Sequence, residues 1–288
     1  MDRHVLTKWL AAGYMEEGIV HATEAGTPQG GIISPALSNM ALDGLEAAAE
    51  QAVPCGQKVH VVKYADDFII TGASKEVLEE VIKPRVVSFL QERGLELSPE
   101  KTRITHIDEG FDFLGFSVRK YGGKFLIKPS KKSVKRFLGD IRETIETQVA
   151  AKTQTLIEQL NNKLRGFANY YRHVVAKETF SYIDTQVFRS LMAWIKRRHP
   201  KKSARWRKQK YFRTVGGRHW VFSATFHDQS GERRTLELFQ TSSVPIIRHI
   251  KIRAEANPYD PAYDEYFRQR AQSRHGHRRH QPEIVASV

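Results

Sequence analysis

The hydrophobic positions of this 288-residue chain change period several times, and each change predicts an element. Val5, Leu6, Trp9, Leu10 and Tyr14 recur about every 3.6 residues and predict a helix over 5–20. Leu37, Met40, Ala41 and Leu45 predict another over 36–52. Between them, Gly26-Thr27-Pro28-Gln29-Gly30-Gly31-Ile32-Ile33-Ser34-Pro35 is dense in Gly and Pro and reads as a loop. Two runs rich in β-branched residues, 59–63 and 68–71, predict a hairpin over about 58–71. Ser74 is placed to cap a helix over 75–93 with Val77, Val81, Val86, Phe89 and Leu90 apolar, and Pro84 inside it predicts a kink or break. Residues 94–107 read as a turn feeding a strand. Residues 113–127 read as a second hairpin, 113–119 with 124–127, turning at Gly122-Gly123.

After Pro129 the period becomes helical, with helices predicted over 131–149, 153–174 and 178–198. Leu156, Leu160, Leu164, Phe167 and Tyr171 fall at spacings of three and four, the pattern of a small helical bundle. A strand-rich stretch follows: Trp220, Phe222 and Phe226, then Leu236 and Leu238, then Ile246-Ile247 to Ile252. Asn257-Pro258-Tyr259-Asp260-Pro261 is a turn. The tail from Arg270 carries His275, His277 and His280, which beside arginines read as polar rather than as metal ligands. The fold class is α+β.

Charge divides the chain. Residues 1–120 hold 12 Lys and Arg against 18 Asp and Glu, a net of −6; residues 121–288 hold 34 against 14, a net of +20. That asymmetry predicts a nucleic-acid partner for the second half. Residues 196–213, KRRHPKKSARWRKQKYFR, contain ten Lys and Arg and no acid, interleaved with Trp206, Tyr211 and Phe212. Phosphate contact with base stacking takes this composition, and Lys196, Arg197, Arg198, Lys201, Lys202, Arg205 and Arg207 are its candidate contacts. One cysteine, Cys55, excludes an intrachain disulfide framework and a multi-cysteine zinc site. No apolar run approaches the ~18 residues of a membrane span, and the start lacks a signal-peptide pattern, so no membrane partner and a cytoplasmic chain are expected.

The densest chemistry is Tyr64-Ala65-Asp66-Asp67, between the two strands of the first predicted hairpin. Two adjacent carboxylates at a turn are a hard, oxygen-only donor set, suited to Mg²⁺ with waters and substrate phosphates. Nucleotidyl transfer by two metal ions uses such a set. On these residues alone, an ordinary solvated turn fits equally well.

Four motifs then occur in order: 27–35, TPQGGIISP; 64–67, YADD; 98–102, SPEKT; and 113–116, FLGF. This series resembles the reverse transcriptases encoded by group II introns of bacteria and organelles. Leu164-Arg165-Gly166-Phe167-Ala168-Asn169-Tyr170-Tyr171 is similar to their thumb, or maturase, domain, and Ala256-Asn257-Pro258-Tyr259-Asp260 to their following DNA-binding region. The resemblance implies a partial polymerase palm over 1–128, a three-helix thumb/maturase domain over 129–200, a basic nucleic-acid-binding region over 201–270 and a tail over 271–288. It further implies that Asp66 and Asp67 hold two Mg²⁺, and that Tyr64 and Ala65 lie by the primer end and incoming nucleotide. Gln29 and Gly30 would line the nucleotide and template site. Lys101 matches the proton donor to the leaving pyrophosphate, with an ordinary surface lysine as the alternative. Phe113, Leu114 and Gly115 match the primer grip. Arg165, Tyr170, Tyr171 and Arg172 belong to the thumb that holds duplex and intron RNA. The implied function is RNA-directed DNA synthesis in intron mobility, with RNA binding for splicing. The implied partners are group II intron RNA, an RNA template with a DNA primer, target DNA and deoxynucleoside triphosphates, in a bacterial cytoplasm.

Two departures qualify this. The family places a third carboxylate on a strand well upstream of the Pro-Gln-Gly loop, whereas the 25 residues before Gly26 read as a helix with its cap, and Asp2 has no strand to place it. The expectation is a chain lacking fingers and first palm strand, and an N-terminal fragment as partner would complete the palm. The family's cysteine- and histidine-bearing nuclease domain is also not readable, so DNA cleavage is not expected. The alternative function is therefore a non-polymerising RNA-binding splicing cofactor, or an inactive remnant.

Overall fold

The computed structural model describes residues 2–16, 18–21, 33–227, 230–248, 251–253 and 255–276. It is a mixed α+β chain with small antiparallel sheets, divided into two units, Met1–His106 and Ile107–Val288.

The first unit opens with helix α1 (Arg3–Ala11) and a short hairpin of β1 (Tyr14–Glu16) and β2 (Ile19–His21). The helix expected over 5–20 is thus cut short. Gly13 adopts φ +73°, which ends the helix, and Gly18 at φ +83° serves the hairpin turn. The helix expected over 36–52 is likewise two, α2 (Ser34–Ala41) and α3 (Leu45–Glu50), separated where Gly44 takes φ +84°. Strands β3 (His60–Tyr64) and β4 (Asp67–Thr71) form the predicted hairpin. The Ser74 hydroxyl accepts from the Val77 amide at 3.3 Å, as a helix cap should. The helix neither breaks nor stops at Pro84. A π-helical turn, Val77–Ile82, runs into α4 (Lys83–Gln91), and its wider hydrogen-bond register accommodates a residue with no N–H to donate. Leu42, Leu45, Ala49, Val59, Ile82, Val86 and Leu90 form the core, and Val61, Phe68 and Ile70 of the hairpin pack against it. The strand expected within 94–107 does not form: Lys101 and Thr102 amides donate to Ser98 O in a turn, and the Lys120 amide of the strand over 116–121 donates to Ile107 O without a ladder following from it.

The second unit begins with a three-stranded meander, β5 (Phe111–Phe113), β6 (Phe116–Tyr121) and β7 (Lys124–Pro129). The strand expected over 113–119 is interrupted, because Leu114 and Gly115 make a hairpin turn with Phe113 opposite Phe116. Helices α5 (Lys131–Thr147), α6 (Thr153–Tyr171) and α7 (Lys177–Arg198) follow, close to the predicted bounds. Ser130 caps α5 by accepting from the Ser133 amide at 3.1 Å. Leu156, Ile157, Leu160 and Leu164 of α6 are buried against Ile141 and Ile145 of α5 and Ile183, Val187, Leu191 and Trp194 of α7. Helix α8 (Ala204–Tyr211) then leads into β8 (Phe212–Val215), β9 (Arg218–His227) and β10 (Arg233–Glu237), a second meander whose Phe212 and Phe222 join the helical core. The described residues around Ile246 to Ile252 are irregular, not the expected strand; the Ile247 amide donates to Arg172 O. The Asn257 turn is present, closed by the Asp260 amide donating to Asn257 O, and helix α9 (Asp264–Gly276) continues from it. His277 and His280 lie outside the described residues.

One buried polar residue ties the helices to the second meander. Asn161, 5% exposed, donates to Glu237 O at 2.9 Å and accepts from the Phe239 amide at 2.7 Å. Asn161→Ala leaves both backbone groups without that partner and is expected to cost about 2–4 kcal/mol, the range for orphaned buried hydrogen-bonding groups. Urea unfolding of the two proteins measures it; a change below about 0.5 kcal/mol, the scale of neutral surface changes, would show that this tie is dispensable.

Candidate catalytic hairpin and nucleic-acid interface

The carboxylate motif sits on the β3–β4 hairpin, with Tyr64 paired opposite Asp67. Ala65 and Asp66 are the two turn residues, and Asp67 opens β4. Ala65 is left-handed at φ +53°, while Asp66 is not among the positive-φ residues. Positive φ at the first turn position alone is the mark of a type II′ hairpin turn, where glycine is usual. Holding an alanine there costs on the order of 1–2 kcal/mol. Strands that bury Val61, Phe68 and Ile70 oppose that cost and keep both carboxylates exposed at the tip. The opposite face is uncovered: Val62 is 54% and Tyr64 64% exposed. Lys101 is exposed within its own turn. Gln29 and Gly30 lie outside the described residues.

Among the described residues no three His, Cys, Asp or Glu side chains come together as a metal site. Asp66 and Asp67 are two exposed oxygen donors, a chemistry that suits a hard cation.

In the second unit the Phe113-Leu114-Gly115-Phe116 motif is a tight hairpin. Leu114 and Gly115 take φ +49° and +81°, the pair of left-handed residues of a type I′ turn. Helix α6 holds both of its carbonyls. The Tyr170 hydroxyl donates to Leu114 O at 2.8 Å and the Tyr171 hydroxyl to Gly115 O at 3.0 Å. The Ser130 amide also donates to Gly115 O, at 2.8 Å. The Phe116 ring packs on both tyrosines, stacked with Tyr170 and edge-on to Tyr171. Two motifs that lie 56 residues apart in the chain are thus one structural device. Tyr171 is buried, so its part is to hold this turn; Tyr170 keeps an exposed face.

The basic run spans the end of α7 and all of α8. Lys196, Arg197, Lys201, Lys202 and Arg205 are exposed. Arg198 is spent on structure: it donates to the carbonyls of Val149 and Ala151 and lies over the Trp194 ring. Arg207 donates to Lys202 O at 3.0 Å. Lys202 and Lys210 flank the Trp206 ring at 5.4 and 4.8 Å, a cation–aromatic surface of the kind that meets phosphate and base together. Arg165 is half-buried over the Phe239 ring, with its Nε buried and without a hydrogen-bond partner; Arg172 is half-buried. Sequence reasoning passed over Lys208 and Arg218 and reads Trp220 as a core position, whereas Trp220 is 44% exposed with Lys208 of α8 over its ring.

Burial and then the charges of Lys210, Arg198, Lys202 and Arg207 lower the pKa of His199 below its ordinary 6.5. Its Nε2 lies 2.7 Å from the Tyr211 hydroxyl, whose own pKa burial raises.

Similarity to known proteins follows the same order along the chain, with the first match ending inside β6 of the second unit. Residues 1–118 match the family model of reverse transcriptases (RNA-dependent DNA polymerases), and residues 134–212 match the group II intron maturase-specific domain. Together they define a polymerase-type protein joined to an intron-maturase module. The chain thus carries, in tandem, a stretch similar to reverse transcriptases and one similar to the maturase-specific domain of group II introns. Group II intron-encoded protein LtrA of Lactococcus lactis subsp. cremoris is 25% identical over a match covering 58% of this chain and 43% of that protein. Protein YkfC of Escherichia coli K12 is 28% identical across 38% of this chain and 37% of its own length. The ribosomal operon-associated A protein of Euglena longa is 25% identical across 46% of this chain and 26% of its own. The chain thus spans less than half the length of these relatives.

Two outcomes are expected from the geometry. A Cβ on Gly115 would come within 2.8 Å of the Tyr171 hydroxyl and 2.9 Å of Ser133 Oγ, at a left-handed φ. Gly115→Ala should therefore lower unfolding free energy by about 1–3 kcal/mol, whereas Gly123→Ala, with open space around it, should lose only the smaller backbone share; equal losses in urea melts would contradict the clamp. For His199, a lowered folded-state pKa means that the unfolded chain binds the proton more readily. Its contribution to stability is present above pH 6.5 and is lost as pH falls from there through the lowered value. Thermal midpoints measured from pH 7.5 to 5.5 should fall less in His199→Gln than in the unchanged protein.

Proposed function

We propose that this chain is a maturase-type RNA-binding protein whose hairpin contributes Asp66 and Asp67 to a reverse-transcriptase centre. The observation that carries the reading is the exposed cation–aromatic surface of α7 and α8, set on a fully packed helical core and unopposed by acids in its own run. Lys196, Arg197, Lys201, Lys202 and Arg205 would contact phosphates of folded group II intron RNA, with Trp206 stacking on an exposed base. Such contacts would favour the compact RNA that splices. In the polymerase role, the clamped turn at Leu114 and Gly115 would position a DNA primer on its RNA template. Tyr64 and Ala65 would border the primer end and the incoming deoxynucleoside triphosphate, and Gln29 and Gly30 the template.

Asp66 and Asp67 would hold Mg²⁺. Bound there, it would supply activation of the primer hydroxyl and charge neutralisation on the triphosphate. The primer 3′-oxygen then bonds to the α-phosphorus as the α–β bridging bond breaks, and Lys101 would give the departing pyrophosphate its proton. The donor set of the described residues is short of two ions, which favours the splicing reading over polymerisation by this chain alone. A polypeptide that brings a further carboxylate strand to the hairpin would complete the centre. Target DNA would be met by the region beyond residue 201.

Binding to a transcribed group II intron RNA should fall steeply with salt. In the Arg197→Gln, Lys201→Gln, Lys202→Gln, Arg205→Gln variant, the slope of log affinity against log salt should drop by about 0.7–0.9 for each phosphate no longer neutralised. Asp66→Ala should leave it unchanged. Unaltered binding by the quadruple variant would refute the surface. Primer extension by the chain alone with Mg²⁺ should not exceed that of Asp66→Ala; extension that is robust and lost in Asp66→Ala would instead establish a complete centre.

A further inference from the structure

Three non-glycine residues among those described adopt positive φ: Ala65, Leu114 and Trp220. The first two are turn residues of the motif hairpins. Trp220, at φ +60°, has no motif to explain it, and a bulky side chain rarely accepts that backbone. Its cause is a bulge. Val215 pairs with Arg218 but Arg213 pairs with Val221, so His219 and Trp220 together face Thr214 alone. A bulge re-aims the side chain it carries. Phe222, two residues on, is buried, whereas Trp220 is 44% exposed.

The re-aimed indole forms part of the wall of a cavity of about 350 Å³ lined by Asp184, Phe188, Arg218, His219, Trp220 and Gln240 above an apolar floor. That volume lies within the range of about 300–1,000 Å³ found for small-molecule sites. Phe188 is edge-on to Trp220, with centroids 6.2 Å apart. The polar groups are fixed. Arg218 donates to Gln240 Oε1 at 3.1 Å and to Glu237 Oε2 at 3.2 Å, using part of its five-donor fork. Asp184 accepts from the amides of Thr241 and Ser242 and from the Thr241 hydroxyl, so its charge is dispersed into the fold. Lys208 Nζ lies 4.5 Å from the centre of the Trp220 ring.

We propose that this cavity receives one unpaired nucleobase of a bound RNA, stacked on Trp220 with the Phe188 ring against its edge. Arg218 and Gln240 meet the polar edge of the base, and Lys208 meets its phosphate. A planar uncharged ring on an anionic chain is the ligand that an aromatic wall with a cationic rim selects. The proposal deepens the RNA-binding reading and rests on it. The test uses two short RNAs, a blunt duplex and the same duplex with a single bulged 2-aminopurine, against the full chain. Trp220→Gly keeps the left-handed backbone and removes the ring; Trp220→Tyr restores an aromatic face; Phe188→Leu alters the adjoining edge-on wall without touching the bulge.

The unchanged protein should bind the bulged RNA more tightly and quench its fluorescence. Trp220→Gly should lose about 5- to 100-fold on the bulged RNA, the range for one stacked base, and stay within about twofold on the duplex. Trp220→Tyr should recover most of the loss, and Phe188→Leu should reduce quenching. Equal affinity of the unchanged protein for both RNAs, or equal losses on both in Trp220→Gly, would overturn the pocket while leaving RNA binding intact. No binding to either RNA would overturn the RNA-binding reading itself, and the pocket with it.

Discussion

The second unit depends on helix α6 and the burial of its apolar face. Leu156, Ile157, Leu160 and Leu164 are essentially inaccessible to water. At about 25 cal/mol per Å² of apolar surface, such burial supplies the largest favourable contribution in the unit. Polar ties at the middle and the C-terminal end of the same helix then settle the arrangement of its neighbours. Asn161 receives the end of β10 through two backbone hydrogen bonds, and Tyr170 with Tyr171 receives the turn between β5 and β6. A non-directional force assembles the bundle, and a few directional bonds decide where the two meanders attach.

Strain and charge mark the places where this scaffold meets its surroundings. Ala65, Leu114 and Trp220 hold a backbone that non-glycine residues avoid. Each is held by something local: paired strands around Ala65, hydroxyl and amide donors around Leu114 and Gly115, and the bulged ladder around Trp220. The cations divide in the same way. Arg198 is committed to carbonyls of its own unit, whereas Lys196, Arg197, Lys201, Lys202 and Arg205 are exposed. A basic run is therefore not uniformly a binding surface; part of it builds the surface that the rest presents.

The reverse transcriptase match falls on the acidic, carboxylate-bearing part of the chain and the maturase match on the strongly basic part. The two units make different physical demands. In the first unit two carboxylates stand exposed at the tip of the β3–β4 hairpin. Binding folded RNA needs distributed cations and exposed rings on a stable base, which the second unit has within itself.

Local chemistry determined much of this from the sequence by itself. The Asp-Asp hairpin was legible because β-branched runs and a two-residue turn are properties of contiguous residues, and the three long helices because their apolar period spans several turns. Local patterns failed where a single backbone angle decides. Gly13 and Gly44 ended helices whose apolar spacing continues through them, and the Leu114-Gly115 turn split an apparently unbroken strand. The strands expected near 103 and 246 did not form, since a strand exists only where another pairs with it. Tertiary structure alone decided that Tyr171 is buried beneath Gly115, that Arg198 serves a loop, and that a bulge exposes Trp220 beside Phe188. Those outcomes rest on contacts between residues far apart in the chain, and no periodicity within either segment encodes them.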